Sequence, residues 1–326
     1  MLFDRSTRLR MEFTGPKAAE SLTGLVTNDV LSLRGGDGLY ACALTAKGRI
    51  ISDVRILAVT GDDGAVSSLL VDANEAGGVG FAAMIRKYVN PRLARYVDVT
   101  SATGCLTLVG TQSLDLLTRL GAADASVAEV SSGPAFTHRA IIIGEIPVRL
   151  VRVPDLGPTD AFDMHCPAAF TPILVDALTA AGALPGDASE WHRRRTVGGR
   201  PEWGVDMDEG TLAQEANMDA LQAISYRKGC YTGQETVARV HFRGHVNRTL
   251  RRVHFPDGIV PPHGTPLVNA ELATVGDSRS TARDDSDHLI GLAMLRREVP
   301  DAGALSWSGD DGVAHAVVVI GAAEEG

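Results

Sequence analysis

Cysteine is scarce in this sequence and nowhere paired. Cys42, Cys105, Cys166 and Cys230 are the only four, and no two form a Cys-x-x-Cys element, which excludes a self-contained zinc or thioredoxin-like site. No metal site is expected. Three of the four lie in apolar, strand-like surroundings (YACAL, TGCLTLVG, FDMHCP), where a cysteine serves as a small buried hydrophobe. Long hydrophobic runs are missing as well: stretches such as Ile141–Ile143 and Ala316–Ile320 have strand length and fall far short of a membrane span. The opening MLFDRSTRLRMEFTGPKAAE mixes charge with apolar residues and lacks the continuous core of an export signal. A cytoplasmic protein without membrane attachment is expected. Positive charge is in deficit, the formal net charge being −9, and coating nucleic acid requires a basic surface. Stable DNA binding is therefore not expected.

Core material, by contrast, is ample. Apolar residues make up 44% and charged residues 22% of the 326, enough for two or three packed units. Residues 8–14 alternate as a strand, and Gly15-Pro16 opens a helix. YACALTAKGRIISDVRILAV reads as a hairpin turning at Lys47-Gly48. Helical spacing over 79–88 ends before Pro91, and YVDVT at 96–100 is strand-like. From Cys105 the order strand, helix (112–120), strands (139–143, 146–153, 161–165) and helix (168–181) resembles a split βαβ, ferredoxin-like unit. Beyond about residue 246, short strands between Gly, Pro and Asp-rich turns predict a small barrel. Within it, GDSRSTARDDSDH, 276–288, is polar enough to be read as a loop. The fold class is thus α+β. The expected units are 1–100, 101–185 (ferredoxin-like), 186–245 and 246–326.

Residues 227–252 stand apart, with seven Lys or Arg against the single acid Glu235. Such a run is a solvated face or a site for an anion. Inside it, Thr232-Gly233-Gln234-Glu235 has the spacing of a capping box and predicts a short helix starting near Gly233. Cys230 then precedes a helix N-terminus, beside Lys228, where dipoles and positive charge favour thiolate. The same cysteine can also be read as a half-buried turn residue packed under Tyr231.

KGCYTGQE at 228–235 is similar to the Lys-Gly-Cys-Tyr-x-Gly-Gln-Glu signature of the YgfZ family, also described as CAF17-like iron–sulfur cluster assembly and insertion proteins. VARVHFRGHVNR downstream, GVDMDEGTLAQEANMDA upstream, and SLTGLVTNDV with LTAKGRIISDVRI near the N-terminus extend the resemblance over most of the chain. It implies a folate-binding core like that of the glycine-cleavage aminomethyltransferase, followed by a C-terminal β-barrel. It also implies tetrahydrofolate, free or polyglutamylated, as ligand, and iron–sulfur client or assembly proteins as partners. From the signature, Cys230 and Lys228 are the expected catalytic residues. Trp191, Tyr231, Gln234, Glu235 and Arg239 are the expected folate contacts, with Trp191 eight residues before Gly199 as the stacking platform. Trp203 and Trp307 are expected to lie away from the ligand.

Two departures from the aminomethyltransferase pattern stand out. No acid stands at the place, near Val79, where a catalytic aspartate is sought, the nearby Asp72 and Glu75 being misplaced for that role, and Val197 takes the place of a pterin-directed glutamate. Both weigh against classical aminomethyl transfer, which needs a fixed carboxylate. Three readings stay open: an accessory factor for iron–sulfur clusters, a folate-dependent one-carbon transferase or demethylase, and a non-catalytic folate sensor.

Overall fold

The computed structural model describes residues 1–309 and 311–322. The chain begins with a short strand, β1 (Leu2–Asp4), that joins the second of two sheets rather than the first. The first sheet contains β2 (Leu9–Thr14), then, after helix α1 (Ala18–Thr23), β3 (Gly38–Leu44), β4 (Ile50–Thr60) and β5 (Val66–Ala73). Helix α2 (Glu75–Tyr88) and strand β6 (Arg95–Asp98) complete it, in the order β3-β4-β5-β2-β6. Helix α2 starts a turn earlier than its apolar spacing predicts, because the Asn74 side chain accepts from the Ala76 amide and caps it. Its first turn lies close against the sheet: a Cβ on Gly78 would come within 2.7 Å of Leu9. Phe13, Leu22, Ile56, Phe81 and Ile85 fill the space beneath.

The second sheet follows with β7 (Thr103–Val109), α3 (Ser113–Arg119), α4 (Asp124–Ser132), β8 (His138–Ile143), β9 (Ile146–Val153), β10 (Ala161–Pro167) and α5 (Thr171–Ala180). Its antiparallel order is β1-β7-β10-β9-β8, with α3, α4 and α5 packed over a core of Leu106, Leu116, Val130, Leu150 and Leu174. Helix α4 had no counterpart in the sequence reading; its small, polar composition leaves only Val127 and Val130 buried.

After α6 (Ala188–Val197) the chain is irregular until α7 (Gln234–Arg243). A closed barrel then forms from β11 (Arg248–His254), β12 (Pro266–Val268), β13 (Thr274–Arg283), β14 (Leu289–Arg296), β15 (Ala304–Ser308) and β16 (Ala314–Ala322). The supposed loop at 276–288 is corrected here: its first part is β13. Its polar residues are tolerated because Ser278 and Ser280 face inward and are hydrogen-bonded, Ser280 to Asp206 at 2.6 Å. Among the described residues no helix is long and apolar enough to cross a membrane.

Candidate functional site

Asp53 and Arg55 alternate with Val54 and Ile56 on β4, and in a strand residues two apart share a face. That face looks into a cavity between the two sheets, α6 and the irregular segment after it. Tyr40, opposite Arg55 in the β3–β4 pairing, joins them. Its hydroxyl donates to Asp53 Oδ2 at 2.9 Å, while Asp53 Oδ1 is buried and accepts nothing. Burial raises both groups above their ordinary values, against the pull of Arg8 and Arg55 in the case of Asp53. Trp203 also lines the cavity, and its indole Nε1–H is likewise buried without an acceptor. Buried polar atoms are nearly always paired in native proteins. Asp53 and Trp203, both lining the cavity, thus each carry a polar atom without a partner, and a flat, polar ligand would complement them.

One wall of the cavity is a buried charge network that holds the two sheets together. Arg8 donates to Asp72 through Nε at 2.7 Å, and Arg55 donates to Asp163 at 2.6 Å and also pairs with Asp155. Arg5 reaches Asp155 at 2.7 Å. Burial alone would push the carboxyl of Asp72 up, yet Arg8 and Arg55 outweigh it and hold Asp72 well below the usual carboxylate range. Asp72, Cys105 and His165 approach within 4.8 Å of one another. Asp72 is already neutralised by two guanidiniums and burial keeps the Cys105 thiol protonated, so this trio is a poor cation site. Across the cavity, Arg195 on α6 pairs with Glu202 and Asp206, both at 2.6 Å, tying the irregular segment to the barrel.

Of the residues expected at the ligand, Trp191 alone lines this cavity. Arg5 lies 3.9 Å over its ring, and Phe3 meets it edge-on at 5.3 Å. Trp203, expected to lie away from the ligand, is part of the same lining, whereas Trp307 is buried in the barrel beside His315.

The signature residues gather elsewhere, behind a hydrophobic cluster of Cys42, Leu44, Ile50, Met207 and Tyr231 whose rim includes Tyr40, Trp203 and Leu221. That rim is also cavity wall, so signature and cavity are two sides of one partition. Lys228 points inward: its ammonium donates to the carbonyls of Thr23 and, at 2.6 Å, Val26, and lies 4.5 Å over the Tyr231 ring. Burial lowers it to about 8, against a small upward pull from Asp29. Cys230 is exposed, while Cys42, Cys105 and Cys166 are buried. Gln234 opens α7, and Glu235 and Arg239 lie exposed along it.

The helix starts where the capping-box spacing places it, but by another device. Gly233 is the N-cap, with φ of +86° and no side-chain cap bond; the amide of Thr232 donates to the Gly24 carbonyl. A Cβ on Gly233 would come within 2.6 Å of the Thr45 carbonyl, so glycine is required by both conformation and space. The two positions lacking acids are resolved differently. Val79 is 72% exposed on the outer side of α2, away from the cavity lining, and the carboxylates that line the cavity are those of Asp53, Asp155 and Glu202. Val197 ends α6, where its carbonyl accepts from Arg252 at 3.1 Å.

With this geometry in hand, comparison with known proteins is informative. Residues 1–225 match the family model described as the GCVT N-terminal domain. An "Iron-sulfur cluster assembly factor IBA57 homolog, mitochondrial" of Pyricularia oryzae is 30% identical over 90% of this chain and 71% of its own length. A "tRNA-modifying protein YgfZ" of Klebsiella pneumoniae is 27% identical over 89% of this chain and 83% of its own. Among solved structures, glycine cleavage system aminomethyltransferase T of Bartonella henselae superposes with a TM-score of 0.84 at 17% identity, covering 98% of this chain and 84% of that one. The last similarity concerns the fold.

Proposed function

The chain belongs to the GCVT N-terminal-domain family, together with the IBA57 and YgfZ proteins, and on that premise we propose that it is a cytoplasmic folate-binding accessory factor for iron–sulfur enzymes. The observation that carries the reading is the pair of unsatisfied buried atoms, Asp53 Oδ1 and Trp203 Nε1, in a cavity walled by Tyr40, Phe136 and two indoles. A reduced pterin is flat, offers N–H donors to a carboxylate and ring acceptors to an indole N–H, and suits such walls. When bound, it supplies a carrier of one-carbon units. The chain's own part is to orient the heterocycle through Asp53, whose second oxygen is fixed by Tyr40, and to exclude water from it.

Cys230 and Lys228 complete the proposal. Lys228 holds the turn from within by bonding the carbonyls of Thr23, which ends α1, and of Val26 just beyond it, and the turn presents Cys230 to solvent as the nucleophile or ligand offered to a client. Gln234, Glu235 and Arg239 extend this surface, while Tyr231 lies buried beneath it under the Lys228 ammonium.

Asp53 also favours a second reading, one-carbon transfer on the folate, because it sets inside the cavity the fixed carboxylate that such chemistry needs. Two assays separate the readings. In a strain lacking the gene, the first expects depressed activity of several iron–sulfur enzymes, restored by the wild type and not by Asp53→Asn. The second expects methylenetetrahydrofolate from purified protein supplied with tetrahydrofolate and aminomethyl donor. Normal iron–sulfur enzyme activities in the deletion strain would defeat the first.

A further inference from the structure

The basic run at 227–252 divides sharply once the side chains are placed. Lys228, Arg248, Arg251 and Arg252 are engaged: Arg248 with Glu215 at 3.0 Å, Arg251 with Asp301 and the Val299 carbonyl, Arg252 with the Val197 carbonyl. Arg227, Arg239 and Arg243 are exposed, and no ion pair or hydrogen bond engages their side chains among the described residues. Arg239 and Arg243 are one turn apart on α7, and Phe242, three residues after Arg239, lies beside Arg239 on that side of the helix.

Phe242 is 67% exposed, and between Leu184 and Ile259 it is the one large apolar side chain so exposed among the described residues. Its position is nevertheless fixed. The His241 ring stacks on Tyr226 at 3.6 Å and 15°, and Phe242 meets His241 edge-on at 4.7 Å and Tyr226 at 6.1 Å. The aromatic ladder thus ends in a ring held in place, on a helix that also carries the unpaired Arg239 and Arg243. Arg227 is the neighbour of the stacked Tyr226. Glu235, exposed one turn before Arg239, is the single acid on the helix and pairs with none of them.

We propose that this face of α7 binds single-stranded nucleic acid, a base stacking on Phe242 while Arg239, Arg243 and Arg227 engage the flanking phosphates. A protein partner would require an apolar centre for the interface, and one isolated phenylalanine among cations does not provide it. A fixed aromatic ring near unpaired guanidiniums is the composition of single-strand sites, where stacking adds to phosphate contacts. The overall charge of −9 repels nucleic acid elsewhere and confines binding to this patch. With about three phosphates neutralised, affinity should fall with a log–log salt slope of about −2.

The test is fluorescence anisotropy with labelled oligouridylate, oligothymidylate, an RNA duplex and a polyglutamate peptide, at about 50 mM salt. The single strands are expected to bind. Phe242→Ala and the double variant Arg239→Gln, Arg243→Gln should each weaken binding by at least about fivefold, and Phe242→Trp should retain it. Preference for oligouridylate identifies RNA as the occupant, and preference for oligothymidylate identifies DNA. The proposal is overturned if no single strand binds below about 100 μM at low salt, if Phe242→Ala binds as well as the wild type, or if polyglutamate or the duplex binds as tightly. All the altered residues are exposed, so circular dichroism should show unchanged folding.

Discussion

The guanidinium of Arg5 lies 3.9 Å over the indole of Trp191 and is fixed there by Asp155 at 2.7 Å. One face of the expected platform is therefore already covered, and Phe3 meets the ring edge-on. A heterocycle entering the cavity meets Trp203 without such competition.

This arrangement makes a fluorescence prediction. Reduced folate should quench tryptophan emission, Trp203→Phe should remove the larger share of the quench, and Trp307→Phe should leave it unchanged. In Arg5→Ala the share carried by Trp191 should rise, because the ring face is bared. A quench that survives Trp203→Phe in full would exclude that indole from the ligand.

Stability in acid should depend on the network beneath the cavity. Asp72→Asn leaves Arg8 and Arg55 buried with less countercharge, and should cost about 3–5 kcal/mol in denaturant unfolding. The folded-state pKa of Asp72 is depressed, so its contribution is full above the ordinary value of about 3.9 and is lost as pH falls below it. Wild type should therefore lose stability below about pH 4 more steeply than Asp72→Asn.

Lys228 should act in the same direction, in a higher pH window. Burial lowers it from 10.5 to about 8, so the folded state binds fewer protons than the unfolded one between these values, and stability gained from this group rises with pH across that window. Lys228→Met should flatten that rise relative to wild type. It should also cost about 2 kcal/mol, because the carbonyls of Thr23 and Val26 lose their donor. Urea unfolding at pH values on either side of the window measures both effects.

Brief alkylation of native protein near neutral pH, followed by peptide mapping, should label Cys230 first. Burial raises the thiols of Cys42, Cys105 and Cys166 above their ordinary value and also denies access. Labelling of any of these three before Cys230 would remove the surface thiol from the proposed function.

Much of this architecture was legible in the sequence, and the illegible parts have physical reasons. The β3–β4 hairpin and the barrel announced themselves through period-two alternation and turn residues, and KGCYTGQE marked the turn before α7. The cavity did not, because its lining is assembled from distant segments: Arg5 from β1's exit, Asp53 from β4, Trp203 from an irregular stretch. One local signal was available. Asp53 and Arg55 interrupt the apolar strand IISDVRIL on the same face, and two charges on one face of a buried strand point to a polar site within. The inward turn of Lys228 had no such signal, since a lysine in a basic run looks solvated until the carbonyls it bonds are placed beside it.

The most direct test of the account is calorimetric titration of 5-formyltetrahydrofolate into wild type and Asp53→Asn. Saturable one-to-one binding is predicted for the wild type, with loss of at least about tenfold in affinity for Asp53→Asn, because the variant exchanges a charged acceptor for a neutral amide. Absence of binding to the wild type, or equal affinity in the two proteins, would contradict a folate site centred on Asp53.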